Sequence, residues 1–451
     1  MRPIVSSRRR CSRWWWGLLS TIVVLSVTGL FIGNEFRAVR SLRQEVASIR
    51  AAGHPVDDQS LSHHFFDFTS QDQTAAWREV SVATAHLEQR AVSEYGLYSA
   101  SDRDLPLSPL TKAAAERLSH QTQMYLKDAE PVIGRIDQLS QAVKPTWQPV
   151  TFSAFSTFLP DVQASWQVHR LLSIEFNHAV QTEDSYRALR ALQLDAAISE
   201  AYDWQLVVVT DMMNMRRQLD RHQRIHAAMA LALWNEEHLS SLSDVVGEDR
   251  DISRRWRRIF TNMRAMYLTH IDAGSGALVI RVQPAWDFPN QSIVFPASLK
   301  LAYLQRWNQV LDVADDGYVG LKHRAHFAAA PVRWPVSYQI LRNWVDSPVD
   351  LRLDLSLLVG LEEYAALCES FENSRRLTRT AIAVKQYQLR NQRWPDELSD
   401  LQALGLLDRG WTGLNGQAFG YRVEPDQSQA MLTAGEGLEY GQSKIPVVTI
   451  R

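Results

Sequence analysis

His222 and His226 fall in the stretch Arg-His-Gln-Arg-Ile-His, four residues apart, and so share one face of a helix. Zinc hydrolases use that spacing with a glutamate after the first histidine as general base. Here the position is Gln223, which cannot take a proton. Glu236, Glu237 and His238 follow and could in principle supply a third ligand, but 13 histidines on long helices will often give one such pair by chance. The expectation is no metal. His323 and His326 form a weaker pair, and His63-His64 beside Phe65-Phe66 read as flanking a loop. Asp-Arg-Asp occurs at 102–104 and 249–251 with the spacing of metal-binding aspartates in many glycosyltransferases, yet neither follows a strand. Residues 273–277, Ala-Gly-Ser-Gly-Ala, lack the elbow of serine hydrolases, and there is no P-loop or dinucleotide fingerprint. Arg254, Arg255, Arg257 and Arg258 could bind phosphate, but a solvated helix face is the favoured reading. No catalytic, cofactor-binding or metal residue is assigned, and no cofactor is expected.

The elements around these residues say more. With 451 residues, 45% apolar and 22% charged, the chain has room for two or three domains. A net charge of −2 gives no reason to expect nucleic acid as a partner. Cys11 and Cys368 make neither a disulfide framework nor a thiolate metal site. Trp14 to Trp16 precede an uncharged run from Gly17 to Gly33. That run rises about 25 Å as a helix and, with the tryptophans at headgroup level, reaches the short end of a bilayer span. A cleaved signal peptide would have a shorter apolar region and end in small residues. Residues 14–33 are therefore read as an uncleaved transmembrane signal-anchor. Arg2, Arg8, Arg9, Arg10 and Arg13 precede it, while Arg37, Arg40, Arg43 and Arg50 follow. The short tail, residues 1–13, is expected in the cytoplasm and residues 34–451 outside it. A nearly cysteine-free ectodomain suits a bacterial envelope, so the expected place is the bacterial cytoplasmic membrane, single-pass.

Residues 34–56 continue as a juxtamembrane helix. Val39, Leu42, Val46 and Ile49 make its stripe, and Gly53-His54-Pro55 its stop. Two heptads could make a homo-oligomeric coiled coil; packing on the chain's own domain is the favoured alternative. Residues 57–370 read as a helical ectodomain. Ser108-Pro109 opens one helix, with Leu110, Ala114, Leu118, Gln121 and Tyr125 on a face. Trp166, His169, Leu172, Phe176 and Ala179 share another face, and Gln181–Asp184 is a turn before Leu189, Leu192 and Ala196. Residues 144–160 are an irregular connection, and residues 277–282 could be a short strand. Paired helices with short turns predict a mostly α, irregular, solenoid-like ectodomain without a fixed repeat.

Residues 371–451 predict an α+β module. Leu377, Ala381, Val384 and Tyr387 form a stripe, with Arg375, Arg379, Gln386, Arg390 and Arg393 on other faces. Asn391 suits a left-handed helix end, Pro395 bars continuation, and Leu404-Gly405 closes a short second helix. Phe419, Tyr421 and Val423 alternate as a half-buried strand, and Gln429–Thr433 is a second, giving a β-hairpin. Trp394, at the corner, is expected to be buried between helix and hairpin.

Asn391, Trp394, Pro395, Gly416 and Tyr421 match a pattern, with Gln392 at its glycine. On these residues the segment resembles the C-terminal module of an uncharacterised family of single-pass bacterial envelope proteins. That module is similar to the globular part of type II secretion pseudopilins. Residues 433–437 stand where pseudopilins have a calcium loop, but Glu436 lacks neighbouring carboxylates. Residues 49–58 and 179–192 are similar more weakly. The resemblance implies architecture and location, and no activity. The functional expectation is a membrane-anchored scaffold or protein-binding accessory component with a protein partner. The competing readings are a membrane-anchored enzyme, glycosyltransferase-like or a metal-dependent hydrolase, and a pseudopilin-related assembly component.

Overall fold

A computed structural model describes residues 8–66, 71–95, 112–141, 160–202, 208–247, 252–272, pairs and short stretches between 277 and 312, 356–434 and 447–451, apart from isolated positions. The described chain is mostly helical, with a small antiparallel sheet at its C-terminal end. Helix α1, Arg8–Ala51, runs unbroken through the apolar run and the juxtamembrane segment. Among the described residues it alone is long and apolar enough to cross a membrane, and Leu18, Leu19, Ile22, Val24 and Leu25 are exposed on it. Below them Ile49 is buried, and Leu42 and Val46 are half-buried, against Val56, Leu268 and Leu304. Three residues of that stripe thus pack on the chain's own body. Gly53, at φ 76°, ends α1: Gly53 N–H bonds the Arg50 carbonyl at 3.0 Å and His54 N–H the Ile49 carbonyl at 3.2 Å.

Helix α2, Asp58–Phe66, contains His63 to Phe66; residues 67–70, where the expected loop would follow, lie outside the described residues. Its start is fixed locally. Ser60 N–H bonds Asp57 Oδ1 at 2.7 Å, and Asp57 N–H bonds Ser60 Oγ at 3.0 Å. Helices α3 (Gln71–Ser93), α4 (Lys112–Ser140) and α5 (Pro160–Gln181) pack around Trp77, Val80, Tyr125, Ile136, Val168 and Leu171. Pro160 occupies the first turn of α5, where its missing N–H costs nothing. A tight turn with Glu183 at φ 56° leads into α6, Ser185–Tyr202.

Helices α7 (Val208–Met229), α8 (Glu236–Val246), α9 (Ile252–Asp272) and α10 (Ser356–Asn391) follow. Three side-chain pairs join α7 to α10 at separations of 153, 152 and 152 residues, so the two helices run parallel. In a solenoid each unit touches only its neighbours. Among the described residues α10 packs on α7 and α8, and a solenoid-like arrangement is not shown.

After α10 come 3-10 turns at Leu398–Leu404 and Asp408–Trp411. Ala277–Leu278 (β1) pairs antiparallel with Ile293–Val294 (β2). Gly420–Val423 (β3), Ala430–Thr433 (β4) and Val447–Ile450 (β5) form one antiparallel sheet in that order. The hairpin has Tyr421 and Val423 half-buried, as the alternation implies; β5 is an addition to it. Ala430, Leu432, Val448 and Ile450 meet Leu377, Ala381, Val384, Trp394 and Phe419 in one core. That core continues without a break into Phe176, Leu189, Ile225 and Leu242 of α5 to α8. The boundary expected at 371 therefore lies inside α10, and the sheet shares its core with the helices before it. The last residue is tied in too: Arg451 N–H bonds the Met229 carbonyl at 3.1 Å.

One local expectation at α10 needs correction. The left-handed residue at its end is Gln392, at φ 54°, not Asn391, whose side chain instead bonds the Tyr387 carbonyl at 3.0 Å. Arg375, off the apolar stripe, is 1% exposed, its guanidinium paired with Glu372 at 2.5 Å and bonded to the Gly247 carbonyl. Trp394 is buried as expected, under Lys385, whose ammonium sits 5.7 Å from the ring centroid.

Candidate functional site

The inward face of α7 is polar. Asp211, Asn214, Arg217, Gln218, Arg221, His222 and His226 are all buried on it, where a packed helix ordinarily turns apolar residues. Three clusters lie along this seam.

At its first turn Asp211 accepts from Tyr364 Oη of α10 at 2.6 Å and from Arg255 Nε of α9 at 2.9 Å. Burial, then the Asp211 charge, pushes the Tyr364 hydroxyl well above its ordinary range. Trp256 Nε1 donates to Cys368 Sγ at 3.4 Å. Burial and the Asp211 charge push that thiol up to about 12, so it stays protonated and is a poor nucleophile at neutral pH.

The second cluster joins three helices. His169 of α5 places Nδ1 2.8 Å from Asp195 Oδ1 of α6 and Nε2 2.9 Å from Asp220 Oδ2 of α7. Carboxylate oxygens only accept, so both ring nitrogens donate and His169 is an imidazolium. Burial opposes that charge, but Asp195 and Asp220 outweigh it and raise the pKa. The carboxylates gain reciprocally. Burial alone would raise Asp195, yet His169 and the Arg221 and Arg217 guanidiniums hold it far below the usual range. Asp220 is likewise lowered against its burial, by His169 and Arg224. Arg221 Nη1 donates to Asp195 Oδ2 at 3.0 Å and Ser199 Oγ at 3.1 Å, and Arg224 Nε donates to Asp220 Oδ2 at 2.9 Å. The side chain of His169 is 4% exposed and that of Asp220 36%, so the cluster meets solvent through Asp220. Chemically it is a held proton between two carboxylates. His169 has no free lone pair to act as a base in this state.

The third cluster is the histidine pair. His222 Nδ1 lies 3.3 Å from Ser374 Oγ and stacks on Phe371, with ring centroids 5.7 Å apart. His226 Nε2 lies 2.7 Å from Thr378 Oγ1. Thr378 gives its own proton to the Ser374 carbonyl at 2.7 Å, so His226 Nε2 carries the hydrogen and donates. Burial lowers His226 to about 4 and keeps it neutral. The four-residue spacing thus matches Ser374 and Thr378, four apart on the parallel α10. Among the described residues no group of three or more His, Cys, Asp or Glu could hold a metal ion. Glu236, Glu237 and His238 begin α8, where Asn235 Oδ1 caps the His238 N–H at 2.8 Å and Glu236 pairs with Arg390 at 2.5 Å.

The arginine run divides: Arg255 turns inward to Asp211, while Arg254 and Arg257 are exposed. His323, His326, residues 102–104, 249–251 and Glu436 lie outside the described residues. The His169 cluster was not foreseen as a site. His169 reads as one member of an apolar stripe, and its partners stand 26 and 51 residues away. The one local signal is Asp195 among Leu192, Leu194 and Ile198, a charge at an inward position that demands a partner.

No protein-family model matches the chain, and no curated protein and no solved structure matches it.

Proposed function

We propose that this chain is a membrane-anchored scaffold of the bacterial envelope whose helical body holds a protein partner at a fixed place beside the bilayer. The observation that supports this is the continuity of α1. One helix leaves the apolar segment and, without a linker, packs Leu42, Val46 and Ile49 onto the body at Val56, Leu268 and Leu304. Ala38, five residues past Gly33, is already buried, so along this helix the body begins within about 8 Å of the anchor. The buried ion pairs of α7 suit such a role by fixing helix positions relative to one another.

A second reading, a pseudopilin-related assembly component, is supported by the three-stranded sheet laid on the long helix α10 with Trp394 at the corner. The enzyme reading would require the His169 cluster to meet substrate through Asp220.

Membrane fractionation tests the anchor. The full-length chain should stay in the pellet after an alkaline carbonate wash, and protease should reach the body only once the outer barrier is opened. A soluble chain beginning near residue 34 would contradict the reading. Crosslinking in intact membranes tests the partner: a defined adduct should form with the wild type and be lost when a flexible glycine–serine linker is inserted after Gly33. An adduct indifferent to that linker would refute the role of the continuous helix.

A further inference from the structure

Arg264 of α9 lies where the anchor helix meets the body. It is 5% exposed. Its Nη1 donates to Asn308 Oδ1 at 2.9 Å, and Asn308 Nδ2 donates to Glu45 Oε1 of α1 at 2.6 Å. The negative charge of Glu45 therefore reaches the guanidinium only through a neutral amide. The other two donor positions, Nε and Nη2, are buried without a hydrogen-bond partner among the described residues. They form one edge of the guanidinium, two parallel N–H groups spaced to match two oxygens of a single carboxylate or phosphate. Leaving such donors buried and unmade is costly, more so on a charged group. Burial also lowers the pKa of Arg264, with Glu45 opposing only in part.

The surroundings are basic. Arg257 stands seven residues earlier on α9, two turns away on the same face. His54, just past the end of α1, is exposed, as is Arg257. The His54 pKa is lowered by burial and then by Arg264 and Arg257, which places all three within electrostatic reach.

We infer that the seam between α1 and α9 is an oxyanion site, in which the Nε and Nη2 edge of Arg264 grips a carboxylate or phosphate two oxygens at once and His54 and Arg257 form its basic mouth. The site joins the anchor helix to the body, so a bound anion stabilises their contact. It depends on how α1 packs and not on any protein partner, so failure of the scaffold reading leaves it standing.

The test uses the full chain in detergent micelles at constant ionic strength and pH. Chloride is replaced stepwise by inorganic phosphate or by acetate, and thermal unfolding is followed. A saturable rise in the midpoint with either anion supports the site. A response to phosphate alone assigns it to phosphoryl ligands, and a response to acetate alone to carboxylates. Arg264→Lys keeps the charge and removes the two-pronged edge; apparent affinity should fall about tenfold or more, as expected for losing a charge-assisted hydrogen bond. Should that variant not fold, His54→Gln with Arg257→Gln, both at exposed positions, should weaken affinity several-fold. No anion response, or an unchanged response in whichever variant is folded, overturns the proposal.

Discussion

His169, packed on α7, and His226, a residue of α7, are both buried, yet they hold different charge states. His169 faces two carboxylates and keeps its proton; His226 faces a threonine hydroxyl and is neutral. Desolvation acts on both in the same direction. What differs is the partner, and at His169 two anions at hydrogen-bond distance outweigh burial. The lesson is that depth does not set the charge of a buried histidine; the groups it bonds do. The two sites also respond oppositely to pH. A raised folded-state pKa, as at His169, gives stability that is present below the unfolded value of 6.5 and is lost as pH rises through the folded value. A depressed one, as at His226, gives stability present above 6.5 and lost as pH falls toward about 4.

The largest effect should come from breaking the charged site. Asp195→Ala leaves His169 and Arg221 buried without their shared carboxylate. That should cost about 3–5 kcal/mol in denaturant unfolding. A cost below about 1 kcal/mol would mean that the cluster is not charged as described.

Trp394→Ala should cost a similar amount, about 3–5 kcal/mol. It also asks whether the two histidine sites share one cooperative structure. Because Trp394 belongs to the core that reaches α7 and α8, limited proteolysis should expose new cuts there as well as beyond residue 371. Cuts confined to the C-terminal segment would instead show an independent module.

The acid limb comes next. Between about pH 6.5 and 4 the wild type should lose about 3 kcal/mol through His226, and His226→Gln should flatten that limb while leaving any alkaline loss unchanged. Asp195 and Asp220 add a further loss only below their unfolded range near 3.8, since their folded values are depressed. An acid limb unchanged in His226→Gln would assign it to other groups.

Gln392→Gly is the smallest. A non-glycine residue at φ 54° carries a left-handed strain that glycine relieves, so the variant should gain about 0.5–1 kcal/mol, reduced by loss of the Gln392 side-chain bond to the Leu389 carbonyl. A loss of stability would show that this side-chain bond matters more than the strain.

Much of the local structure was legible because local patterns cause it. The stripe Leu377, Ala381, Val384 and Tyr387 is buried, Trp394 is buried, and Gly405 closes the 3-10 turn at φ 80°. Strands β3 and β4 show their alternation, whereas β5 is only four residues, too short for its alternation to stand out. The charged seam was not legible. Its bonds join residues 26 to 153 apart, and no spacing within a helix reports which distant carboxylate will meet a histidine. Arg375 shows the same limit: the helical pattern sets it off the apolar stripe, but does not report its burial against Glu372 and Gly247.

The protonation of His169 itself tests the contrast most directly. The ring-nitrogen NMR shifts of the two histidines, assigned by His169→Gln and His226→Gln, should be followed from about pH 5 to 8. The expected result is that His169 keeps both nitrogens protonated above the ordinary histidine pKa of about 6.5, while His226 carries a hydrogen on Nε2 alone even near pH 5. A neutral His169 at pH 6.5, with one bare ring nitrogen, would contradict the charged bridge between Asp195 and Asp220.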